Sequence, residues 1–380
     1  MNTRAFLITA TCFAAFAASA VLAASTSPDS NFHCYLCFGQ SNMAGGCNGG
    51  TATAASIDNQ PEDCDTTPRI KVMAWFDCPN SAQTNTTSNP CKKFTLKRTN
   101  NKWYTAFPPY NKCDEGIGPA VYFGKTLLDS VKENVTIGII HAAVSGVGIE
   151  VFAKEGAAVT NGQSPPGITT DIYGWMLKKC KIAQQTGVIK GIIFHQGENN
   201  ASDGDGWVNK VKKVVSDLKT DLKLDDSIPF VAGEMLRGAC CDGLNQYINK
   251  LPKQIPNCAV ASSEGLKKRI GDSYNAHFDC AGMRELGRRF AKGYLSLAKT
   301  NWEPRKGTVS ITPPMNHSVT ALHSLQAGAK IYSLDGKVIA TVASNNYLSV
   351  FNYLQSQKVY IIVNSERNKT SMLRLLIVNK

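Results

Sequence analysis

Two segments of the sequence carry the side chains needed for nucleophilic catalysis. Ser41 lies in "CFGQSNMAGG", directly after an apolar run that is typical of a buried strand. His277 lies in "DSYNAHFDCAG" and precedes a helical pattern. A serine hydroxyl can attack an ester carbonyl when a histidine takes its proton. We therefore predict that Ser41 is a nucleophile and that His277 is its base.

Attack by a serine produces an intermediate with a negatively charged oxygen, which must be stabilised by fixed hydrogen-bond donors. The segments "SGVGIE" (145–150) and "HQGENN" (195–200) also follow apolar runs and could supply such donors. The candidates for this oxyanion hole are the backbone N–H of Ser41, the backbone N–H of Gly146 and the side-chain amide of Gln196. Together with the nucleophile and the base, these groups are what acyl transfer requires.

Four sequence blocks resemble a known group of enzymes. "GQSNMAGG", "VSGVGIE", "HQGEN" and "HFDCAGMRELGRRFA" are similar, in that order, to blocks of the SGNH hydrolases. Within that superfamily they resemble the acetylesterases of carbohydrate esterase family 6 and the related sialate O-acetylesterases. The resemblance covers roughly residues 31–298, and "GQSNM" followed by "HQGE" at this separation is specific. It implies a serine esterase with an SGNH, flavodoxin-like fold, and it implies that Gln196 donates to the oxyanion where the wider group uses Asn.

The acid that orients the histidine is open between two carboxylates. Many SGNH relatives have an Asp three residues before the catalytic His, but that position is Tyr274 in this chain. Asp272 lies five residues before His277, and Glu198 lies in the "HQGE" block. Some members of family 6 are thought to use this Glu. We therefore expect Glu198 to be the triad acid, with Asp272 as the alternative.

The pattern of apolar runs predicts an α/β fold. Five runs are typical of buried strands, and they cover residues 32–38, 135–144, 189–194, 228–235 and 258–263. Helical patterns lie between the later runs, so the strands are expected to be mainly parallel. The prediction is a three-layer α/β/α sandwich with a mainly parallel five-stranded sheet. Residues 46–115 break this alternation, and we interpret them as an insertion of loops with one strand at 71–76.

The rest of the chain suggests export and a second, smaller unit. Residues 1–24 have the charged start, apolar core and small-residue end of a signal peptide. The esterase domain is then expected at 25–302, a linker at 303–326 and a small C-terminal all-β module at 327–380. That module weakly resembles the sorting domains of bacterial type IX secretion, and a carbohydrate-binding or a merely stabilising role remains open.

The cysteine count agrees with export. The chain has 13 cysteines, and twelve remain once Cys12 leaves with the signal peptide. An even number in an oxidising compartment predicts disulfides. Cys240 and Cys241 are expected to bond to two different partners, because they are adjacent. A zinc site at Cys34 and Cys37 is the rival interpretation, and the absence of a second pair with ligand spacing argues against it.

Composition excludes several classes of partner. The formal charge is +12, but the basic residues are dispersed over helical faces, so nucleic-acid binding is not expected. No later apolar run is long enough to cross a membrane, and no nucleotide, cofactor or metal motif is present.

The predicted function is a secreted, cofactor-free serine esterase. Its substrate would be a plant cell-wall polysaccharide or oligosaccharide, such as acetylated xylan, from which it removes O-acetyl groups through an acetyl-enzyme. The alternatives are a sialate O-acetylesterase and a non-catalytic carbohydrate-binding protein on the same scaffold.

Overall fold

The computed structural model describes residues 27–47, 58–78, 97–113 and 115–298, and the backbone of four short strands nearer the C-terminus. The predicted signal peptide (1–24) and linker (303–326) lie outside the described residues, as does most of the predicted C-terminal module.

A seven-stranded sheet forms the centre of the molecule. Its strands are β1 (Phe32–Gly39), β2 (Ile70–Met73), β3 (Trp103–Thr105), β4 (Thr136–Ala143), β5 (Val188–His195), β6 (Phe230–Gly233) and β7 (Cys258–Ala261). The order is β3-β2-β4-β1-β5-β6-β7. All neighbours are parallel except β2 and β3, which are antiparallel at one edge.

The predicted parallel sheet is confirmed, but its predicted strand count of five is wrong. The five expected strands are all present as β1, β4, β5, β6 and β7. The two additional strands come from the region interpreted as inserted loops, where β2 pairs with β4 and β3 pairs with β2. The strand expected at 71–76 is present as β2, but the loop-like composition around it hid its place in the sheet, and the three residues of β3 form too short an apolar pattern to be recognised.

Helices cover both faces of the sheet. They are α1 (Ser41–Ala44), α2 (Pro119–Leu128), α3 (Ile172–Gln184), α4 (Asp205–Asp221), α5 (Asn245–Ile248), α6 (Leu251–Gln254) and α7 (Cys280–Leu297). Side chains of α3, α4, α5 and α6 pack in one apolar core. Those of α2 and α7 pack in a second core on the opposite face. The result is the expected helix–sheet–helix arrangement.

Strand β1 shows why the sheet needs a helical layer on each side. Leu36 and Phe38 point into the core under α3 and α4, whereas Tyr35 points into the core under α2 and α7. Cys34 and Cys37 follow the same alternation and lie in different cores. Because their thiols face opposite sides of the strand, these two cysteines cannot bind one zinc ion together.

The prediction that the cysteines are paired is only partly correct. Disulfides join Cys47 to Cys280 and Cys78 to Cys113, and Cys64 is also disulfide-bonded. The buried thiols of four cysteines are free, namely Cys34, Cys37, Cys180 and Cys258. A buried free cysteine behaves as a small apolar side chain, and an even count cannot distinguish that use from pairing.

The adjacent cysteines also differ from expectation. Cys240 and Cys241 are bonded to each other rather than to two different partners, with their Cα atoms 3.8 Å apart. Both lie in the turn between β6 and α5, whereas the free cysteines of the described residues lie in the sheet and in α3.

The C-terminal strands form a second sheet. They are β8 (Lys330–Tyr332), β9 (Val338–Thr341), β10 (Val359–Val363) and β11 (Leu373–Ile377), in the order β11-β10-β8-β9. Every pair in it is antiparallel. Within the described part of the chain, no helix has both the length and the hydropathy needed to cross a bilayer.

Candidate active site

The register of the sheet brings three of the sequence blocks together. Gly39, the last residue of β1, pairs with Ala143 of β4 on one side and with His195 of β5 on the other. The N–H of Gln40 donates to the carbonyl of His195 at 2.9 Å, and the N–H of Val144 donates to the carbonyl of Gly39 at 2.9 Å. The segments that follow three neighbouring parallel strands therefore start at the same edge of the sheet.

Gly39 is required for this close approach. Its φ angle is +145°, and a Cβ atom at this position would lie 1.9 Å from the carbonyl oxygen of His195. Any side chain would thus push β1 away from β5 at the point where the chain turns into α1. The glycine in "FGQS" allows Ser41 to follow the strand directly.

Ser41 and His277 meet at this edge. Ser41 is the first residue of α1, and its Oγ lies 2.9 Å from Nε2 of His277. On the other side of the imidazole, Nδ1 lies 2.8 Å from Oδ1 of Asp272. The hydroxyl, the imidazole and the carboxylate thus form a continuous hydrogen-bonded chain between residues that are up to 236 positions apart.

The loop that carries His277 is tied to the rest of the site. The N–H of Arg269 donates to the carbonyl of His277 at 2.9 Å, which closes the loop before α7. The disulfide between Cys47 and Cys280 joins the segment after α1 to the first residue of α7. The covalent link therefore holds the chain next to the nucleophile and the chain next to the histidine together.

Asp272 is held as a carboxylate. Its Oδ2 accepts the backbone N–H groups of Ala276 at 2.7 Å and His277 at 2.8 Å. Burial favours the neutral acid, but the hydrogen bonds from the His277 ring and from these two N–H groups outweigh it and lower the pKa of Asp272 to about 2. The side chain is ionised at neutral pH and can hold the Nδ1–H of His277.

This geometry corrects the expectation that Glu198 contacts the histidine. Asp272, the alternative in the sequence analysis, occupies that place instead. A separation of five positions between acid and base suffices because the carboxylate also binds the backbone N–H of His277 and so turns the loop back on itself. Tyr274, at the position where many relatives have the acid, lies on the outside of this turn and is exposed.

Glu198 contacts a residue that the sequence analysis missed. Its Oε1 accepts a hydrogen bond from Nδ2 of Asn42 at 2.7 Å. The same Asn42 amide donates to the carbonyl of Ala276 at 3.0 Å and accepts the N–H of Phe278 at 3.3 Å. Asn42 is fully buried and binds the residues on both sides of His277. The sequence signal for Asn42 was its position directly after Ser41 in "GQSN". A buried amide needs hydrogen-bond partners, and here they are these residues.

His195 does not take part in the proton chain. Its Nε2 lies 3.0 Å from the carbonyl oxygen of Glu234, so this nitrogen carries the proton, and Nδ1 lies 3.8 Å from Oε1 of Glu198. Burial lowers the pKa of His195, although the Glu198 carboxylate opposes this shift. The ring is therefore neutral and connects the ends of β5 and β6.

Two of the three expected oxyanion donors lack an acceptor in the described part of the chain. Ser41 is the first residue of a helix, and the first N–H groups of a helix have no partner within it. Neither the N–H of Ser41 nor the N–H of Gly146 has an acceptor among the described residues. The carbonyl of Gly146 accepts the amides of Asn161 at 3.0 Å and Asn199 at 3.2 Å, which fixes the orientation of this loop.

Gln196 does not fit the role expected of it. Its side chain is buried, and its Nε2 contacts Oδ1 of Asn200 at 2.7 Å and the carbonyl of Val147 at 3.2 Å. Its Oε1 accepts the indole N–H of Trp207 at 2.9 Å. Because protein atoms bind both ends of its amide, Gln196 has no free donor for a substrate oxygen. Burial of a side chain is set by its neighbours in space, which the sequence block did not reveal.

The described part of the chain has no cluster of side chains suited to bind a metal ion. No group of three or more His, Cys, Asp and Glu side chains lies close enough together there to hold an ion.

These features define a class of protein. A mostly parallel sheet between two helical layers, with a serine directly after its first strand, is typical of the SGNH-like hydrolases. Residues 31–296 match the family model described as "Carbohydrate esterase, sialic acid-specific acetylesterase". The chain belongs to this family.

The chain is also similar to solved structures. A protein from Arabidopsis thaliana is 20% identical, with a TM-score of 0.51, over 70% of this chain and 98% of that one. NanS is 16% identical, with a TM-score of 0.50, over 71% of this chain and 98% of that one. A carbohydrate acetylesterase from Xanthomonas citri is 15% identical, with a TM-score of 0.46, over 82% of this chain and 70% of that one.

Proposed function

We propose that the protein is a serine esterase that removes O-acetyl groups from a carbohydrate, with Ser41, His277 and Asp272 as its catalytic triad. The observation that carries the proposal is the unbroken chain from Ser41 Oγ to His277 (2.9 Å) and from His277 to Asp272 (2.8 Å). A protein that only binds carbohydrate needs no such chain. The family of carbohydrate esterases to which the chain belongs supports the same class of reaction.

The first half of the reaction forms an acetyl-enzyme. Because Asp272 is ionised and accepts the Nδ1–H, Nε2 of His277 is the unprotonated nitrogen and can take the proton of Ser41. Ser41 Oγ then bonds to the acetyl carbon. The N–H groups of Ser41 and Gly146 are our candidates for stabilising the resulting oxyanion. His277 returns the proton to the sugar oxygen, the ester bond breaks, and the sugar alcohol leaves.

The second half regenerates the enzyme. Water gives a proton to Nε2 of His277 while its oxygen bonds to the acetyl carbon, and the same donors stabilise the second oxyanion. The bond to Ser41 Oγ breaks, the serine recovers its proton from His277, and acetate is released. The net reaction consumes one ester and one water and needs no cofactor.

The substrate we favour is acetylated polysaccharide, with acetylated xylan as the representative, as the resemblance to family 6 suggests. O-acetyl sialic acid is the second candidate, because the description of the matching family names a sialic acid-specific acetylesterase. The two substrates differ in charge, since only the sialic acid carries a carboxylate. We also propose that the protein acts outside the cell, which its disulfides support.

The test is acetate release by the purified protein from acetylated xylan and from O-acetyl sialic acid, at equal concentrations of acetyl groups. Ser41→Ala is the control that separates catalysis from spontaneous hydrolysis. We expect release that depends on Ser41, with acetylated xylan the faster substrate. Faster hydrolysis of the sialic acid would select the second candidate, and release from neither would leave a non-catalytic carbohydrate-binding protein.

A further inference from the structure

The loop beside His277 displays an unusual apolar surface. In the described part of the chain, the large apolar side chains that are strongly exposed are Tyr274, at 75%, and Ile270, at 65%. Both belong to the loop between β7 and α7 that carries His277. Exposed apolar groups beside a functional site can mark the place where a ligand or a partner binds.

Tyr274 is not exposed because its loop is loose. On one side, the Asp272 carboxylate binds the N–H groups of Ala276 and His277 at 2.7 and 2.8 Å. On the other side, the carbonyl of Asn275 accepts the N–H of Cys240 at 2.9 Å. The backbone around Tyr274 is thus tied to the triad acid and to the neighbouring turn, so the loop that bears the ring is fixed.

The ring lies directly beside the catalytic histidine. The centroids of the Tyr274 and His277 rings are 5.9 Å apart, and the planes are nearly perpendicular at 88°. An acetyl group that reaches Ser41 Oγ is bonded through one ester oxygen to its sugar, so that sugar ring must lie close to His277. Pyranose rings have an apolar face of C–H groups that packs well on a flat aromatic ring.

We propose that Tyr274 is the platform on which the pyranose ring carrying the scissile acetyl group stacks. This inference rests on the proposed esterase function and adds a residue that determines substrate preference. The position that holds the acid in many SGNH relatives would then serve sugar recognition in this chain, because Asp272 supplies the acid from two residues earlier.

The kinetic test compares a ring-containing substrate with an acyclic one. Acetylated xylo-oligosaccharide and glyceryl triacetate are given to the wild type, Tyr274→Ala, Tyr274→Leu and Tyr274→Phe. We expect Tyr274→Ala to raise the KM for the oligosaccharide about three- to tenfold, the effect of losing one aromatic contact. The ratio of kcat/KM between the two substrates should fall by the same factor. Tyr274→Phe keeps the flat ring and should keep the ratio, whereas Tyr274→Leu keeps apolar area without the ring and should lose it.

Two outcomes would overturn the platform. One is an equal loss on both substrates in Tyr274→Ala, which would indicate a contact that only supports His277. The other is an unchanged KM for the oligosaccharide. The exposure of the ring predicts that the melting temperature stays the same in all three variants, so misfolding can be recognised.

A binding measurement separates this proposal from the proposed function. Acetylated xylo-oligosaccharide is titrated calorimetrically into Ser41→Ala and into Ser41→Ala/Tyr274→Ala. We expect the double variant to bind three- to tenfold more weakly. If the wild type releases no acetate from any sugar, the esterase proposal fails, and this measurement still decides the platform. Equal affinities, or no binding to either variant, would overturn it.

Discussion

The two sides of the active site are built in different ways. Ser41 and Gly146 follow parallel strands, and the register of the sheet places them. His277 and Asp272 lie on a loop that no strand positions, and side-chain hydrogen bonds and a disulfide hold this loop in place. The first side depends on backbone pairing and apolar packing, whereas the second depends on a few polar contacts. Substitutions should therefore affect catalysis and stability differently on the two sides.

The largest effect is expected where the two sides meet. Ser41→Ala or His277→Ala should each lower kcat by about a million-fold, because the two residues act as one proton-transfer unit. The double variant should be scarcely worse than either single variant. Rates from a sensitive acetate-release assay, with circular dichroism to verify folding, test this. Losses that multiply in the double variant would separate the two residues into independent functions.

The next effect concerns the acid. Asp272→Asn should lower kcat by about 10⁴-fold, because an amide at Nδ1 favours the wrong tautomer of His277 and cannot stabilise its charged form. Glu198→Gln should cost less than tenfold, since the amide oxygen can still accept the hydrogen bond from Asn42. Both variants are measured for kcat and for melting temperature. The opposite ranking, with Glu198→Gln inactive, would restore the acid that the sequence analysis preferred.

Asn42 tests whether side-chain contacts hold the histidine loop. Asn42→Asp should lower kcat about a hundredfold with little change in KM, because it loses the donor to Ala276 and places a carboxylate against Glu198. Adding Glu198→Gln exchanges the amide and the carboxylate and should recover part of the loss. Without any recovery in the double variant, Asn42 would not act on His277 through this pair of contacts.

A smaller effect is expected on stability as a function of pH. The pKa of Asp272 is lowered in the folded protein to about 2, whereas an unfolded Asp titrates near pH ~3.9. A lowered pKa stabilises the fold above the unfolded value, and this contribution is lost as the pH falls through about 2. It amounts to about 2–3 kcal/mol. Urea unfolding of the wild type and Asp272→Asn should therefore differ by a constant amount above pH ~5 and converge towards pH ~2. A difference that stays constant down to pH ~2 would contradict the contact.

The smallest effect concerns the free cysteines of the sheet and of α3. Burial raises the pKa of all four free thiols, to about 12 for Cys180 and Cys258 and further for Cys34 and Cys37. They should not react with iodoacetamide in the native protein, and all four should react after denaturation without reductant. Peptide mass spectrometry gives the result for each cysteine. Protection of any of these four in the denatured protein would mean that it is disulfide-bonded.

The side of the site placed by the sheet could be predicted from the sequence. Apolar runs such as "FHCYLCF" and "IKGIIF" identify buried parallel strands, and the carboxyl ends of such strands meet at one edge. For this reason the positions of Ser41 and Gly146 follow from the order of strands and turns. The strand β2 could be expected from its apolar run but not assigned to this sheet, since loop-like residues surround it, and the three residues of β3 carry too little periodicity to be recognised.

Which carboxylate contacts His277 was decided only by the tertiary structure. Glu198 and Asp272 are both polar residues in plausible blocks, and sequence distance favours neither. Asn42 donates a hydrogen bond to Glu198, and the backbone N–H groups of Ala276 and His277 donate to Asp272. In the same way, the amide of Gln196 is not available to a substrate because Trp207 and Asn200 bind it. The sequence determined which groups lie at the edge of the sheet, because backbone pairing follows local patterns. Their partners depended on contacts between distant segments, and hydrogen bonds of similar strength are selected only once packing has fixed those segments in space.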